Sequence, residues 1–176
     1  MDDVKYEKAK SNIKSNKSST NSHNQFSNDG SLSSLKKLDK HNLSLASEAI
    51  SIAENTLEIT IKFINQPNNS GKKQSNSQVI RHQIAQLASE IECYKQFVYF
   101  INSKFENQEK EITMAKLISI QLMDKVVSQS FQMFGGYDSL EQHPIEKIFQ
   151  KSKMIQISNN SRDLHDNISK FIIDQK

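Results

Sequence analysis

The side chains of this 176-residue chain that could do more than pack are five histidines (His23, His41, His82, His143, His165), one cysteine and a run of glutamates. Zinc needs Cys, His or carboxylate ligands at short recurring spacings. No Glu-x-x-His or Cys-x-x-Cys occurs, so no metal site is expected. Glu90, Glu92, Glu106, Glu109 and Glu111 interleave with Lys95, Lys104 and Lys110. That mixture reads as a solvated, salt-paired helix surface, because a di-metal carboxylate site needs inward glutamates and a Glu-x-x-His pair. His82 reads as a surface or half-buried residue. Cys93 follows Glu92 with no activating base beside it, so an inert buried thiol is expected. A lone cysteine also excludes an internal disulfide. Phosphate-binding glycine loops and the Gly-x-Ser-x-Gly elbow are absent. Residue chemistry alone therefore predicts no catalytic residue and no metal.

Charge and composition locate the element-forming part. Residues 1–40 hold eight lysines and five acids, so the whole net charge of +3 lies there and residues 41–176 balance. Without a basic stripe, nucleic-acid binding by the folded part is not expected, since phosphate neutralisation needs concentrated cations. Ser and Asn fill 14 of the first 34 positions. Such a tract buries too little to offset its ordering entropy, and residues 1–36 are expected to be a disordered tail. Asp2, Asp3 and Glu7 argue against a mitochondrial presequence, and no apolar core marks a secretory signal. Cytoplasm and mitochondrion both stay open as locations. No apolar run reaches the roughly 18–20 residues of a membrane span.

From about residue 40 the apolar period becomes helical. Ala46, Ile50, Ala53, Leu57, Ile61 and Ile64 form one face of a first helix, and Leu45, Ala49, Ile52, Ile59 and Phe63 a second, so burial on two sides is predicted. Pro67 and Gly71 end it. Ile80, Ile84, Leu87, Ile91, Tyr94, Val98 and Ile101 mark a second helix, and Glu109 to Phe134 a third that Gly135-Gly136 stops. A short helix starts at Pro144, and Leu164, Ile168, Phe171 and Ile172 mark the last. Three long helices and two shorter ones predict an all-α antiparallel bundle over residues 37–176.

One stretch carries more. From residue 111 the chain reads EITMAKLISIQLMDKVVSQSFQMFGGYDSLEQHPIEKIF, then MIQISNNSRDLHDNISKFI. This resembles the C-terminal helical domain of the acyl-CoA dehydrogenase family, which shows Met-Ala-Lys, then Gln-x-x-Gly-Gly-Tyr-Gly, a Pro-started helix and Glu-Gly-Thr before a final helix. Upstream, LDKHNLSLASEAISIAENTL and NSGKKQSNSQVIRHQIAQLASEIE resemble that domain's first two helices, so residues 37–174 are covered. The resemblance implies an FAD enzyme in which a carboxylate removes the α proton of an acyl-CoA while the β hydride passes to the flavin. It also implies flavin held between a β-domain and this bundle, with part of the site from a neighbouring subunit. The family's two other domains have no counterpart in the resemblance.

Carried over position by position, the family's catalytic Glu falls on Asn159, in Asn159-Asn160-Ser161. An amide is no proton acceptor at neutral pH. The base position that some relatives use on the first helix falls near His41, and the adjacent Arg on Asn42. The loop arginine and phenylalanine fall on Pro67 and Ser70, while Gly71 and Gln78 are kept. Gln132, Gly135 and Gly136 are also kept, and Ser161 retains a hydroxyl. The resemblance therefore makes Gln132, Gly136 and Ser161 the candidate FAD contacts, while helix termination explains the glycines equally well. The expected role is a noncatalytic bundle that self-associates or docks on a larger acyl-CoA dehydrogenase-like subunit. An accessory chain lending flavin contacts in trans is the alternative, and a gene remnant without function is the third.

Overall fold

A computed structural model describes residues 20–67, 71–104, 108–135, 143–159 and 161–174, with side chains described from residue 36 onward. It contains α1 (Thr20–Ile64), α2 (Gln78–Lys104), α3 (Glu109–Phe134), α4 (Pro144–Ser158) and α5 (Ser161–Ile173), with a short 3-10 turn at Gln74–Asn76. Among the described residues there is no strand, only an isolated antiparallel bridge between Pro67 and Lys73. None of these helices is long and apolar enough to cross a membrane.

The chain divides into two units, residues 1–40 and 41–176. In the first, helical backbone begins at Thr20, inside the segment expected as tail, and Lys36, Lys37, Leu38 and Lys40 are exposed. Extending a helix that already exists costs far less than nucleating one, so a polar tract can continue a packed helix. Residues 1–19 of the expected tail lie outside the described residues.

The second unit is built around α3. Its buried positions run through Ile112, Ala115, Leu117, Ile120, Met123, Val127 and Phe134, covering more than one face. A helix apolar on most sides must be enclosed, and α3 packs on α2, α4 and α5. One core cluster joins Leu43, Ala46, Ile50 and Leu57 of α1 with Leu87, Ile91, Val98 and Ile101 of α2 and Ile112 and Leu122 of α3. Another joins Ala49 of α1 with Ile120, Met123 and Val127, with Ile148 and Phe149 of α4 against it. The predicted two-sided burial of α1 is thus its membership of both clusters. Each fully buried leucine or isoleucine here contributes about 1.5–3 kcal/mol. Ile61, expected inward, is partly exposed, and Thr56 and Thr60 are buried instead. Their hydroxyls donate to Ile52 O at 2.7 Å and Thr56 O at 2.8 Å, which lets a threonine stand in an apolar core.

Lysine–carboxylate pairs stitch the neighbouring helices. Lys95 Nζ lies 2.6 Å from Glu54 Oε1 (α2 to α1), Lys125 Nζ 2.6 Å from Glu90 (α3 to α2) and Lys151 Nζ 2.8 Å from Glu48 (α4 to α1). Lys153 of α4 donates to Asp124 of α3, which also accepts from Gln156. The interleaved charges of α2 were expected to pair along one surface; Glu90 and Lys95 instead bridge to other helices. Cys93 is exposed, not buried as expected. The inward face of α2 runs through Leu87, Ile91 and Val98, and a residue two places after Ile91 points away from it.

Candidate functional site

The helix ends carry the predicted site residues. α3 stops at Gly135, whose N–H donates to Gln132 O at 3.0 Å. Gly135 has φ 68° and ψ −177°, a region that only glycine occupies comfortably. A Cβ there would meet nothing within 4 Å. The glycine is therefore required by backbone conformation and not by close approach of a neighbour. Just before it, Phe134 stacks on Phe63 with centroids 4.1 Å apart, and the His143 ring lies 4.7 Å from Phe134. His143 Nδ1 accepts from Ile145 N at 3.3 Å, capping α4 ahead of Pro144, so this histidine serves a helix start.

Gln132 sits on the last turn of α3 with its side chain exposed and no hydrogen bond from that amide among the described residues. Ser161 is the first residue of α5, also exposed, and its carbonyl contacts His165 Nδ1 at 2.6 Å. No bond joins Gln132 to Ser161 among the described residues. Gly136 lies outside them, as do Ser70 and Asn160.

The position expected for the base is a helix cap. Asn159 closes α4, its Nδ2 donating to Ile155 O at 2.9 Å and Ser158 Oγ at 3.2 Å. Its amide is committed to a backbone carbonyl and a serine hydroxyl of its own helix, and no carboxylate bonds to it among the described residues. On α1, His41 is exposed. Next to it, half-buried Asn42 accepts from Lys116 Nζ at 3.1 Å. Burial holds the Lys116 ammonium below the ordinary lysine range. This pairing of α1 with α3 was not foreseen from sequence; only the 74-residue separation closed by folding brings the two together.

A flavin needs an enclosing cradle of several hundred Å³. A half-open cleft of about 70 Å³ between α1 and α2 is lined by Ser47, Tyr99 and the Glu54–Lys95 pair, and Gln132 is not among its lining residues. Gly135 faces open space. The described residues of this chain therefore do not by themselves fit an enclosed flavin; Gln132 offers one exposed edge. No metal-binding group of His, Cys, Asp or Glu occurs among the described residues.

Comparison with known proteins agrees with the helical fold. The profile of the acyl-CoA dehydrogenase C-terminal domain matches residues 28–168. A caffeyl-CoA reductase–Etf complex subunit, CarC, of Acetobacterium woodii is 28% identical over 133 residues, 74% of this chain and 35% of that protein. An acyl-CoA dehydrogenase of Bacillus subtilis is 26% identical over 149 residues, 82% of this chain and 39% of that one. The crystal structure of an acyl-CoA dehydrogenase from Geobacillus kaustophilus superposes with TM-score 0.72 at 23% identity, covering 78% of this chain and 37% of that one. At that identity the likeness speaks for the fold alone. The chain spans about a third of the length of the curated relatives it matches.

Proposed function

The chain belongs to the acyl-CoA dehydrogenase family through the C-terminal domain, and from that premise we propose that it acts as a noncatalytic helical bundle, with residues 37–176 as the packing domain. On this reading it associates with further copies of itself or docks on a larger acyl-CoA dehydrogenase-like subunit. The observation that carries the reading is Asn159. On the resemblance the family's base position falls on this amide, which caps its own helix and is no acceptor for an α proton. Supporting the docking part, the outer sides of α4 and α5 leave Met154 71%, Ile157 81% and Ile172 56% exposed. Large apolar side chains left to solvent on these helices suit a surface that another chain covers.

A second reading has its own observation. The exposed Gln132 amide, beside the turn at Gly135 and without a hydrogen bond among the described residues, could meet a flavin held by another polypeptide. That accessory role would make the chain part of an oxidoreductase acting on acyl-CoA without being the enzyme.

Light scattering coupled to size exclusion, run on the full chain and on Met154→Lys/Ile157→Lys, tests the first reading. A parent that associates and a double variant that is monomeric and folded are expected. A parent that stays monomeric, and that captures no acyl-CoA dehydrogenase-like chain from the native cell, overturns it. A yellow complex with such a chain, turned colourless by Gln132→Ala, would move the assignment to the second reading.

A further inference from the structure

Four lysines of the bundle, Lys95, Lys125, Lys151 and Lys153, each meet a carboxylate. Lys116 does not: among the described residues its Nζ bonds only to Asn42 Oδ1, at 3.1 Å. Lys116 and Asn42 are both half-buried, and their chain neighbours Leu43, Ala115 and Leu117 are buried. An amide oxygen offers a dipole where a partly desolvated ammonium calls for a charge.

Most of the unused hydrogen-bonding capacity of these two side chains is donor capacity. The ammonium keeps two N–H bonds beyond the one given to Asn42, and the Asn42 amide nitrogen brings two more. No acceptor bonds to them among the described residues. From this juxtaposition of α1 and α3 we propose that Lys116 and Asn42 form a binding site for a small carboxylate, one oxygen taking the ammonium and the other the amide. A single cation with one amide suits the charge and the two oxygens of a carboxylate; phosphate would leave oxygens unmet. The lowered titration of Lys116 fits a cation awaiting its counter-ion, because a bound anion restores the charged form. The site goes beyond the packing role and stands whether or not the chain self-associates.

The test uses the full chain labelled with carbon-13 at the lysine Cε, titrated with sodium acetate against sodium chloride at constant ionic strength. The Lys116 resonance is assigned from Lys116→Arg. Acetate is expected to shift that resonance saturably and to raise the Lys116 titration midpoint, with the other lysines unmoved. Asn42→Ala, which keeps the ammonium, is expected to bind about tenfold more weakly, the loss of one hydrogen bond to a charged ligand. An unmoved Lys116 resonance, equal affinity in Asn42→Ala, or tighter binding of inorganic phosphate than of acetate would each overturn the proposal. Oligomeric state, measured on the same samples, separates this outcome from the fate of the packing role.

Discussion

Phe134 is the side chain on which the end of the bundle turns. It is 2% exposed, stacks on Phe63 at 4.1 Å, has the tilted His143 ring 4.7 Å away, and directly precedes the glycine that stops α3. Phe134→Ala removes a buried ring and leaves a cavity that rigid helices α1 and α3 refill poorly. The expected cost is about 3–5 kcal/mol, set against about 5–15 kcal/mol for a whole domain. The melting midpoint should fall by roughly 2–4 °C for each kcal/mol lost. Urea unfolding followed by far-ultraviolet circular dichroism, with the slope m compared between variants, is the direct assay. Phe100→Ala is the control, since that ring is 52% exposed, with Lys104 Nζ 4.3 Å from its centroid. The control should change stability by no more than about 0.5 kcal/mol. A double-mutant cycle with Phe63→Leu and Phe134→Leu should return a coupling of about 0.5–1.5 kcal/mol from the stack. A Phe134→Ala loss no larger than that of Phe100→Ala would refute the reasoning, because the ring would then not be closing the core.

Acid stability should respond to Glu90, whose carboxylate is held below the ordinary glutamate range, first by its hydrogen bond from Lys125. A lowered folded-state value gives stability that is present above the unfolded value and lost as pH falls through the folded one. Parent and Glu90→Gln should therefore differ at neutral pH and converge in acid, as equilibrium unfolding across pH 2–7 will show. The buried hydroxyl of Ser119 has no partner among the described residues, whereas that of Ser152 donates to Phe149 O at 2.8 Å. Ser119→Ala should be neutral or stabilising by up to about 1 kcal/mol, while Ser152→Ala should cost about 1 kcal/mol; thermal melts of both separate the cases. Gly135→Ala should cost about 1–3 kcal/mol from backbone strain alone, measured by urea unfolding without flavin. A loss that appears only in the presence of flavin would contradict the conformational account of this glycine.

Where helices start and stop was open to reading in the linear chain because those signals are local. Pro144, Gly71, Gly135 and the apolar steps of three and four all act within a turn or two of themselves. At the beginning of α1 the helix span reaches back to Thr20, into a polar tract with no apolar face of its own. Local signals misled at Cys93 and Ile61, whose direction depends on which side of each helix finds a neighbour. The resemblance also places the amide of Asn159 where the family carries its acid, an assignment that rests on residue type alone.

What the sequence determined by itself is the element menu: the helices, their approximate ends and the absence of metal-ligand spacing. Only the tertiary structure decided which charges meet. Glu54 with Lys95, Glu90 with Lys125 and Asn42 with Lys116 lie 41, 35 and 74 residues apart. No local rule couples positions that distant. They come together because burying the stripes of α1, α2 and α3 against one another fixes the rotation of each helix, and the polar residues beside those stripes follow.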